Sequence, residues 1–595
     1  MKIQEIKSKK ASRSKRTPIT LGIFGLLFFL QSITSSLVKS PTMDEPIHIA
    51  AGLSYLDAGR IVLNPEHPPL LKEISGIFLR VGRIHWPDNP QATALLSDPS
   101  RPNGTVVNAI IADNGPDRVL FWSRLPFILL STILLFALYF FGRLIVGNTA
   151  AIAAVLLYAV DPTVLAHSFL VTTDGGVTLF IILFLLAFWR YLQRPSWHRA
   201  LWCGVSLGAA LGAKFSAVVL LPIAAVLIVG GAIWPIEAVT DEQNAQTSPN
   251  ALCSCGSGKK YKHCHGNRDQ RSRTTISDGV RRRLLQYGIA FAAMCAVAIL
   301  LIQIFYFFPK DPFQYLAGMR AVNANHDPDF QAYMAGRLSH RFYSYYLIAY
   351  LLKEPLATII LTAIGFALLL RNRTMQQLAL LFLLFPLAAL FVGYTFWSDN
   401  IGIRYILPVL PFTHLVGGVG TAALLGSGLL WKRAQALFLG IWLIAAAVGI
   451  YPDHLSYFNE AACLLDNPRN IGTDGGSRCG PSWLDENNVD WGQGLKQLKV
   501  WLDHNAKGQR VRLAYFGPFP PENYGIKFEM VEDEDLLTGR RPGLYAVSSH
   551  IVASTPAVVR AALGSGAEWL RTTRPIAVVG HAFYIYEVPS RPTSP

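Results

Sequence analysis

Long apolar runs recur along most of the 595-residue chain, and they are near or above the ~20 residues that cross a bilayer as a helix. Charged residues make up only 15% of the chain, against about 25% in an average soluble domain. We therefore expect an α-helical polytopic membrane protein rather than a series of soluble domains. The runs predict eleven transmembrane spans, of which the fifth is short, at 19–38, 119–142, 149–167, 174–192, 199–213, 216–234, 284–307, 346–369, 378–396, 405–430 and 434–451.

Basic residues mark the connections that stay in the cytoplasm. A net charge of +15 would also suit a nucleic-acid-binding protein, but most of the excess lies in residues 1–18 and 259–283, beside apolar spans. The charge therefore predicts a cytoplasmic N-terminus, an outer C-terminus and no nucleic-acid partner. With this orientation every inside connection is basic, since these connections carry Arg143, Arg190, Arg194, Arg199, the 235–283 insert, Arg371, Arg373, Lys432 and Arg433.

The same pattern divides the chain into regions. The polar end of the chain contains short β-like runs (RVRLAYFG, GLYAVSS and HAFYIYEV), which predict a small α/β domain outside the membrane. The predicted regions are a basic tail (1–18), a transmembrane core (19–234) with an outer loop (39–118), a cytoplasmic insert (235–283), a second transmembrane region (284–451) and the outer domain (452–595).

Cysteines divide between the two compartments. Cys463 and Cys479 lie in the outer domain, where oxidation is permitted, and we predict a disulfide between them, with two free thiols as the alternative. In the cytoplasmic insert, the spacing C-x-C-x8-C-H within residues 252–266 predicts four ligands for a structural Zn²⁺: Cys253, Cys255, Cys264 and His265. The string CGSGKKYKHCHG also resembles the SEC-C motif of the SecA translocation ATPase, which implies docking to a cytoplasmic protein partner.

Two adjacent acids, Asp44 and Glu45, follow the first span at the membrane surface. Acids at this depth are candidates for function, although a solvated pair that caps a helix is the structural alternative. The predicted topology places five charged residues from distant segments at the same outer face: Asp44, Glu45, Asp174, Lys214 and Arg404. Residues without a shared role would be divided between the two faces.

Several motifs, taken in order, resemble the group of polytopic C-type glycosyltransferases that contains the protein O-mannosyltransferases and the aminoarabinose transferases. The acidic pair precedes a loop reading YLDAG and then NPEHPPLLK. The remaining motifs are DPTVLAHSFLVTTDGG (161–176), GAALGAKFSA (208–217), YLLKEPL (350–356), NIGIRYILPVLPF (400–412), YPDHLSYFNE (451–460) and NVDWGQGLKQL (488–498). The zinc insert departs from the family pattern but falls in a cytoplasmic loop.

This resemblance implies an inverting transfer of a sugar from a polyprenyl-phosphate donor to the hydroxyl of a protein, lipid or glycan acceptor, at the outer face of the bacterial inner membrane. The resemblance makes Asp44 the general base, and Glu45 would orient the acceptor or support Asp44. Asp174 is the second acid, with Asp161 as the competing candidate. These acids would also suit a divalent cation such as Mg²⁺ or Mn²⁺, and the sequence leaves its use open.

The leaving phosphate needs positive charge nearby. We assign Arg404 and Lys214 to this role, with interfacial snorkelling as the alternative for each. Lys353 is a third candidate that would otherwise pair with neighbouring acids.

Two other functions remain as alternatives. A transporter or flippase for lipid-linked sugars would place acids deep in its spans and show repeat symmetry, and neither is evident. A non-catalytic membrane scaffold that docks through its zinc motif would not need the outer acids.

Overall fold

The computed structural model describes residues 16–97, 104–236, 276–324, 327, 329–371, 375–506, 508–539 and 541–589. The described chain is mainly helical. Before the insert it forms α1 (Arg16–Leu37), α2 (Glu45–Ala58), α3 (Leu70–Val81), α4 (Pro90–Ser97), α5 (Gly104–Asp113), α6 (Pro116–Ile145), α7 (Asn148–Ala159), α8 (Pro162–His167), α9 (Thr173–Gln193), α10 (Trp197–Ala213) and α11 (Leu220–Ile233).

The helices continue after the insert. This region also contains a short antiparallel hairpin of β1 (Ala332–Met334) and β2 (Arg337–Ser339). Its helices are α12 (Ile276–Phe305), α13 (Gln314–Ala324), α14 (Tyr345–Lys353), α15 (Leu356–Arg371), α16 (Gln377–Trp397), α17 (Leu410–Leu425) and α18 (Leu430–Ile450).

Within the described ranges, eight helical segments are long and apolar enough to cross a membrane, and α14 with α15 makes a ninth candidate that is bent by 114°. The predicted polytopic helical fold is confirmed. The other two predicted spans, 149–167 and 199–213, correspond to α7 with α8 and to the 17-residue α10. These helices are too short to count as spans by length and hydropathy alone.

Prolines explain two of these interruptions. α7 ends before Asp161-Pro162, and α14 ends before Glu354-Pro355. A residue that precedes proline avoids the helical region, since the proline ring clashes with its backbone. Each break therefore leaves an acidic side chain at the end of a helix, inside a run that reads as one continuous span in the sequence.

Helix α17 packs closely between α7 and α15 because glycine replaces side chains along its contact faces. A Cβ at Gly418 would overlap the carbonyl oxygen of Ala150 in α7, and one at Gly420 would overlap that of Leu361 in α15. This close approach brings His414 of α17 near both proline breaks.

The end of the chain forms the predicted small α/β domain. Its strands are β3 (Val511–Ala514), β4 (Phe528–Met530), β5 (Gly543–Ser548), β6 (Ala577–Val579) and β7 (Phe583–Val588), and its helices are α19 (Ala461–Leu464), α20 (Leu495–Asn505), α21 (Asp533–Thr538), α22 (Ser549–Leu563) and α23 (Trp569–Thr572). The sheet has the order β4-β3-β5-β7-β6, with β3 parallel to β4 and β5, and β7 antiparallel to β5 and β6. Strands β3, β5 and β7 fall in the three β-like runs of the sequence.

The largest hydrophobic core runs through both parts of the molecule. It joins side chains of the long helices, such as Leu135 and Phe184, to side chains of the α/β domain, such as Leu513 and Phe583. The domain is thus packed on the helical region rather than tethered to it.

Candidate active site

Asp44 and Arg404, which are 360 residues apart in the sequence, form an ion pair. Asp44 immediately precedes α2, and Arg404 lies in a 3₁₀ turn that leads into α17. Arg404 Nη1 donates to Asp44 Oδ2 at 2.6 Å. The Asp44 side chain is 29% exposed, so the pair opens to solvent on the side of the acid.

The α/β domain holds the turn that carries Arg404. Gly402 has φ 131°, and a Cβ there would overlap Asn487 Oδ1. Asn487 Nδ2 donates to the carbonyl of Ile401, and the amide of Ile403 donates to Asn488 Oδ1 at 3.1 Å. These contacts fix the backbone from which the Arg404 side chain extends.

Arg404 also has a spare donor. Its guanidinium carbon lies 4.3 Å from the centre of the Trp491 ring, which is the geometry of a cation–π contact. Its Nε is buried and has no hydrogen-bond partner among the described residues. An arginine with one edge on a carboxylate and an unused N–H is suited to an additional anionic group.

A second ion pair lies beside the first. Lys214 follows the end of α10 and its Nζ donates to Asp174 Oδ1 at 2.5 Å, in the first turn of α9. The Tyr405 ring connects the two pairs, since Lys214 Nζ lies 4.5 Å and the Arg404 guanidinium 5.4 Å from its centre. The structure thus brings together four of the predicted residues around one aromatic ring.

Glu45 has a different environment from Asp44. Its carboxylate is completely buried and accepts bonds from Arg124 Nε at 2.8 Å and Nη2 at 2.6 Å. The amides of Thr42 and Val171 also donate to it, at 2.9 and 3.2 Å. Arg124 in turn donates to the carbonyls of Ser36, Lys39 and Ser40. Glu45 therefore ties the first loop to α6 and to the segment before α9.

Asp161, the competing second acid, lies in another cluster. Its Oδ1 caps α8 by accepting the Val164 amide at 3.0 Å, and its Oδ2 lies 3.0 Å from His414 Nε2. Glu354 completes a fully buried group whose potential ligand atoms lie within 4.8 Å of one another. It is the only group with metal-ligand spacing among the described residues, and it does not include Asp44 or Asp174.

Lys353 is engaged with the α/β domain. Its Nζ donates to the carbonyl of Leu455 at 2.7 Å and to that of Asn488 at 2.5 Å, and it lies 4.4 Å from the centre of the Phe458 ring. The side chain is buried. These contacts give Lys353 the geometry of a link between the α14–α15 bend and the domain.

Two histidines of the first loop, His48 and His67, lie near the charged residues of the site. Burial, which is the largest cause, lowers the pKa of His48 and holds the pKa of His67 well below its usual range. His48 Nδ1 lies 2.7 Å from the Val171 carbonyl, and the two rings meet edge to face at 5.3 Å. Lys72 fastens the return of the loop by donating to the carbonyls of Asn64 and His67.

Glu486 of the α/β domain interacts electrostatically with Arg404 and Asp44, and no sequence pattern predicted it. Burial raises the pKa of Glu486 to about 7, while Arg404 lowers it and Asp44 raises it. Glu486 has φ 49°, and its amide donates to His550 Nδ1 at 3.2 Å. Asp490 accepts hydrogen bonds from Ser548 and from the Gly492 amide, and the neighbouring Trp491 is buried against Arg404.

Of the two predicted cysteine sites, the disulfide lies within the described residues and the zinc motif lies outside them. Cys463 and Cys479 are joined by a disulfide, with Cα atoms 5.2 Å apart. The zinc ligands Cys253, Cys255, Cys264 and His265 lie outside the described residues.

Two stretches of the sequence match known families. Residues 117–236, which include Asp174 and Lys214, match the family described as dolichyl-phosphate-mannose-protein mannosyltransferase, and residues 250–267 match the SEC-C motif. No curated protein matches the chain.

Two solved structures are similar to this chain at low identity. ArnT from Cupriavidus metallidurans bound to undecaprenyl phosphate is 12% identical, with a TM-score of 0.43 over 97% of this chain and 99% of that one. The oligosaccharyltransferase of Archaeoglobus fulgidus in its apo form is 11% identical, with a TM-score of 0.44 over 92% and 71%. The family match over residues 117–236, together with the motif match, confirms the resemblance to polytopic C-type glycosyltransferases with an inserted SEC-C motif.

Proposed function

We propose that the protein is an inverting glycosyltransferase that moves a sugar from a polyprenyl-phosphate donor to an acceptor hydroxyl at the outer membrane face. One observation carries the proposal: two acid–base pairs from four distant segments meet around Tyr405, and one of their acids opens to solvent. The description of the family matched by residues 117–236 names a lipid-phosphate-linked sugar as donor.

Asp44 would accept the proton of the acceptor hydroxyl. The hydroxyl oxygen then attacks the anomeric carbon as the bond between that carbon and the phosphate oxygen breaks, so a single displacement inverts the anomeric centre. General base catalysis of this kind contributes about 10²- to 10⁴-fold to a rate. Glu45 would support Asp44 by holding the start of the loop against Arg124.

Arg404 and Lys214 would stabilise the phosphate as it leaves. The unpartnered Arg404 Nε offers a donor to a phosphate oxygen, and a donor phosphate would compete with Asp44 for the guanidinium. Such competition would free the carboxylate for the acceptor only when the donor is bound. Lys214, held by Asp174, would add a point charge on the other side of Tyr405.

The test is transfer of label in sealed right-side-out vesicles of the bacterial inner membrane, supplied with labelled polyprenyl-phosphate sugars from outside. We expect label to move from the lipid to an acceptor fraction, and Asp44→Asn to lower the rate about 10²- to 10⁴-fold. Asp57→Asn is the matched control, since Asp57 is another aspartate of the first loop paired with an arginine, Arg80.

Two results would contradict the proposal. Full activity in Asp44→Asn would show that Asp44 is not the general base. Movement of intact donor across the membrane without a new glycosidic bond would indicate a flippase.

The SEC-C motif has a separate role in this proposal. We propose that Cys253, Cys255, Cys264 and His265 hold a structural Zn²⁺, because four protein ligands leave no open coordination position for chemistry. A cytoplasmic protein partner for this motif stays a prediction from the sequence.

A further inference from the structure

The buried group at the two proline breaks has no part in the proposed transfer. Asp161 precedes Pro162 at the end of α7, and Glu354 precedes Pro355 at the 114° bend between α14 and α15. Both acids meet His414 of α17. Two unrelated interruptions of the helical region thus deliver their carboxylates to one imidazole.

The geometry of the group is that of a small coordination site. His414 Nε2 lies 3.0 Å from Asp161 Oδ2 and 3.9 Å from Glu354 Oε2. A tetrahedral Zn²⁺ with ligands at about 2.0–2.1 Å separates its ligand atoms by about 3.3 Å, which falls between these two distances. Asp161 Oδ1 is already bonded to the Val164 amide, and this bond orients Oδ2 toward the centre of the group.

Within the described residues, the only basic side chain in ion-pair range of the two carboxylates is His414 itself. All three side chains are completely buried, and no lysine or arginine forms an ion pair with either carboxylate. The neighbouring cation, Lys353, gives its hydrogens to the carbonyls of Leu455 and Asn488. Burial of carboxylates without a partner is costly, so the site requires a positive charge or a proton.

Unused ligand atoms point the same way. Neither oxygen of Glu354 makes a hydrogen bond of ordinary geometry in the described structure, although the side chain has no exposure to solvent. Buried polar atoms in folded proteins are almost always satisfied. One imidazole nitrogen with two carboxylate oxygens is a ligand set that Zn²⁺ accepts, with a fourth position left for water or a hydroxyl.

We propose that Asp161, Glu354 and His414 bind a divalent cation, with Zn²⁺ as the best match to the ligand set. The ion would join the α7–α8 break, the α14–α15 bend and α17 at one point, and so fix the two breaks, where the prolines interrupt the helical hydrogen bonds, to a continuous helix. This site is separate from the SEC-C motif and from the ion pairs around Tyr405.

The experiment measures zinc bound to the full-length protein in detergent. The cytoplasmic motif is first removed with Cys253→Ser and Cys255→Ser, so that any remaining zinc belongs elsewhere. After zinc loading and desalting, we expect one equivalent of zinc per chain in this background and its loss when Glu354→Gln is added. Glu73→Gln is the matched control, since Glu73 is another buried glutamate with an unpartnered oxygen but no histidine beside it, and it should retain the zinc.

A second measurement does not depend on the Glu354 variant folding. In the protein that carries Cys253→Ser and Cys255→Ser, a chelator should lower the apparent Tm and added Zn²⁺ should restore it. The reason is that an ion that binds only the folded state stabilises that state. A folded background protein that retains no zinc and has a Tm insensitive to chelator would overturn the proposal, and would leave a shared proton as the occupant. Neither result bears on the transfer assay with Asp44→Asn, so the two proposals fail independently.

Discussion

Asp44 and Glu45 are neighbours in the sequence, but their carboxylates belong to two different regions of the molecule. Asp44 is 29% exposed and pairs with Arg404, whereas Glu45 has no exposed surface and pairs with a similarly buried Arg124. The first pair opens toward solvent and shares its cation with aromatic rings. The second is enclosed by backbone donors and carbonyls.

The difference shows how two adjacent acids can take separate roles, Glu45 in holding the loop and Asp44 in the proposed chemistry. Glu45 and Arg124 fix the loop, since together they contact the end of α1, the segment before α2 and the segment before α9. Asp44 is then presented beside a rigid support without being buried itself. A proton-accepting group that must meet successive substrates benefits from such an arrangement.

The largest expected effect comes from Glu45→Gln. Removing one charge of a buried pair leaves the other uncompensated, which costs about 3–5 kcal/mol of stability. We expect a large fall in the apparent Tm of the detergent-solubilised protein, measured by intrinsic fluorescence. Asp44→Asn in the same measurement should change the Tm much less, since its pair is partly solvated. Equal falls in both variants would show that the two pairs do not differ in the way we describe.

A somewhat smaller effect concerns a charged cluster in which the β6–β7 turn contacts two aspartates, one of which pairs with Lys39 of the helical region. His581 donates from Nδ1 to Asp453 and from Nε2 to Asp474, both at 3.0 Å, and Asp453 also binds Lys39. Burial lowers the pKa of His581, but the two aspartates outweigh it and raise the pKa to about 9. The protonated ring thus stabilises the folded state by about 3 kcal/mol below pH ~6.5, and this is lost as pH rises through about 9.

We expect the apparent Tm of the wild-type protein to decrease as the pH is raised from about 6.5 to about 9. His581→Asn should lower the Tm at pH 6.5 and flatten this dependence, since asparagine tolerates the φ of 54° but does not titrate. An unchanged pH slope in the variant would assign the dependence to other groups.

The smallest expected effect tests whether the Arg404 site needs a guanidinium group or only a positive charge. Arg404→Lys keeps the positive charge but loses the planar contact with Trp491 and the second N–H edge. We expect about a tenfold rise in the KM for the lipid-linked donor, with a lesser change in kcat. Arg80→Lys, at a half-exposed pair with Asp57, should leave both constants unchanged. A fall in kcat alone would limit Arg404 to stabilising the leaving phosphate, and two unchanged constants would place it outside the site.

The sequence predicted the helical fold because apolar length and basic loops are local signals. It also anticipated the meeting of Asp44, Asp174, Lys214 and Arg404, because a topology assigned from charge places all four at one face. The sequence did not predict the helix breaks at Asp161 and Glu354, although both residues precede a proline. A single break does not lower the mean hydropathy of an apolar run enough to divide it.

The partners of the predicted residues were harder to find. Arg124 and His414 contact predicted residues from distant parts of the chain, and no spacing in the sequence connects them. Tyr405 follows Arg404 directly, but its contact with Lys214 is equally distant in sequence. Lys353 illustrates the same difficulty, since its position in the YLLKEPL motif suggested a phosphate ligand while its ammonium group lies on two carbonyl oxygens of the α/β domain. Tertiary packing decides which of several equivalent charges faces the site.

The contacts of Asn487 and Asn488 with the Gly402 turn have a consequence for protein engineering. Any chimaera that exchanges the α/β domain between related proteins would exchange the support of Arg404 as well, because these two asparagines grip the backbone on either side of that glycine. A workable boundary for such grafts therefore lies before residue 400 rather than at the end of the last long helix.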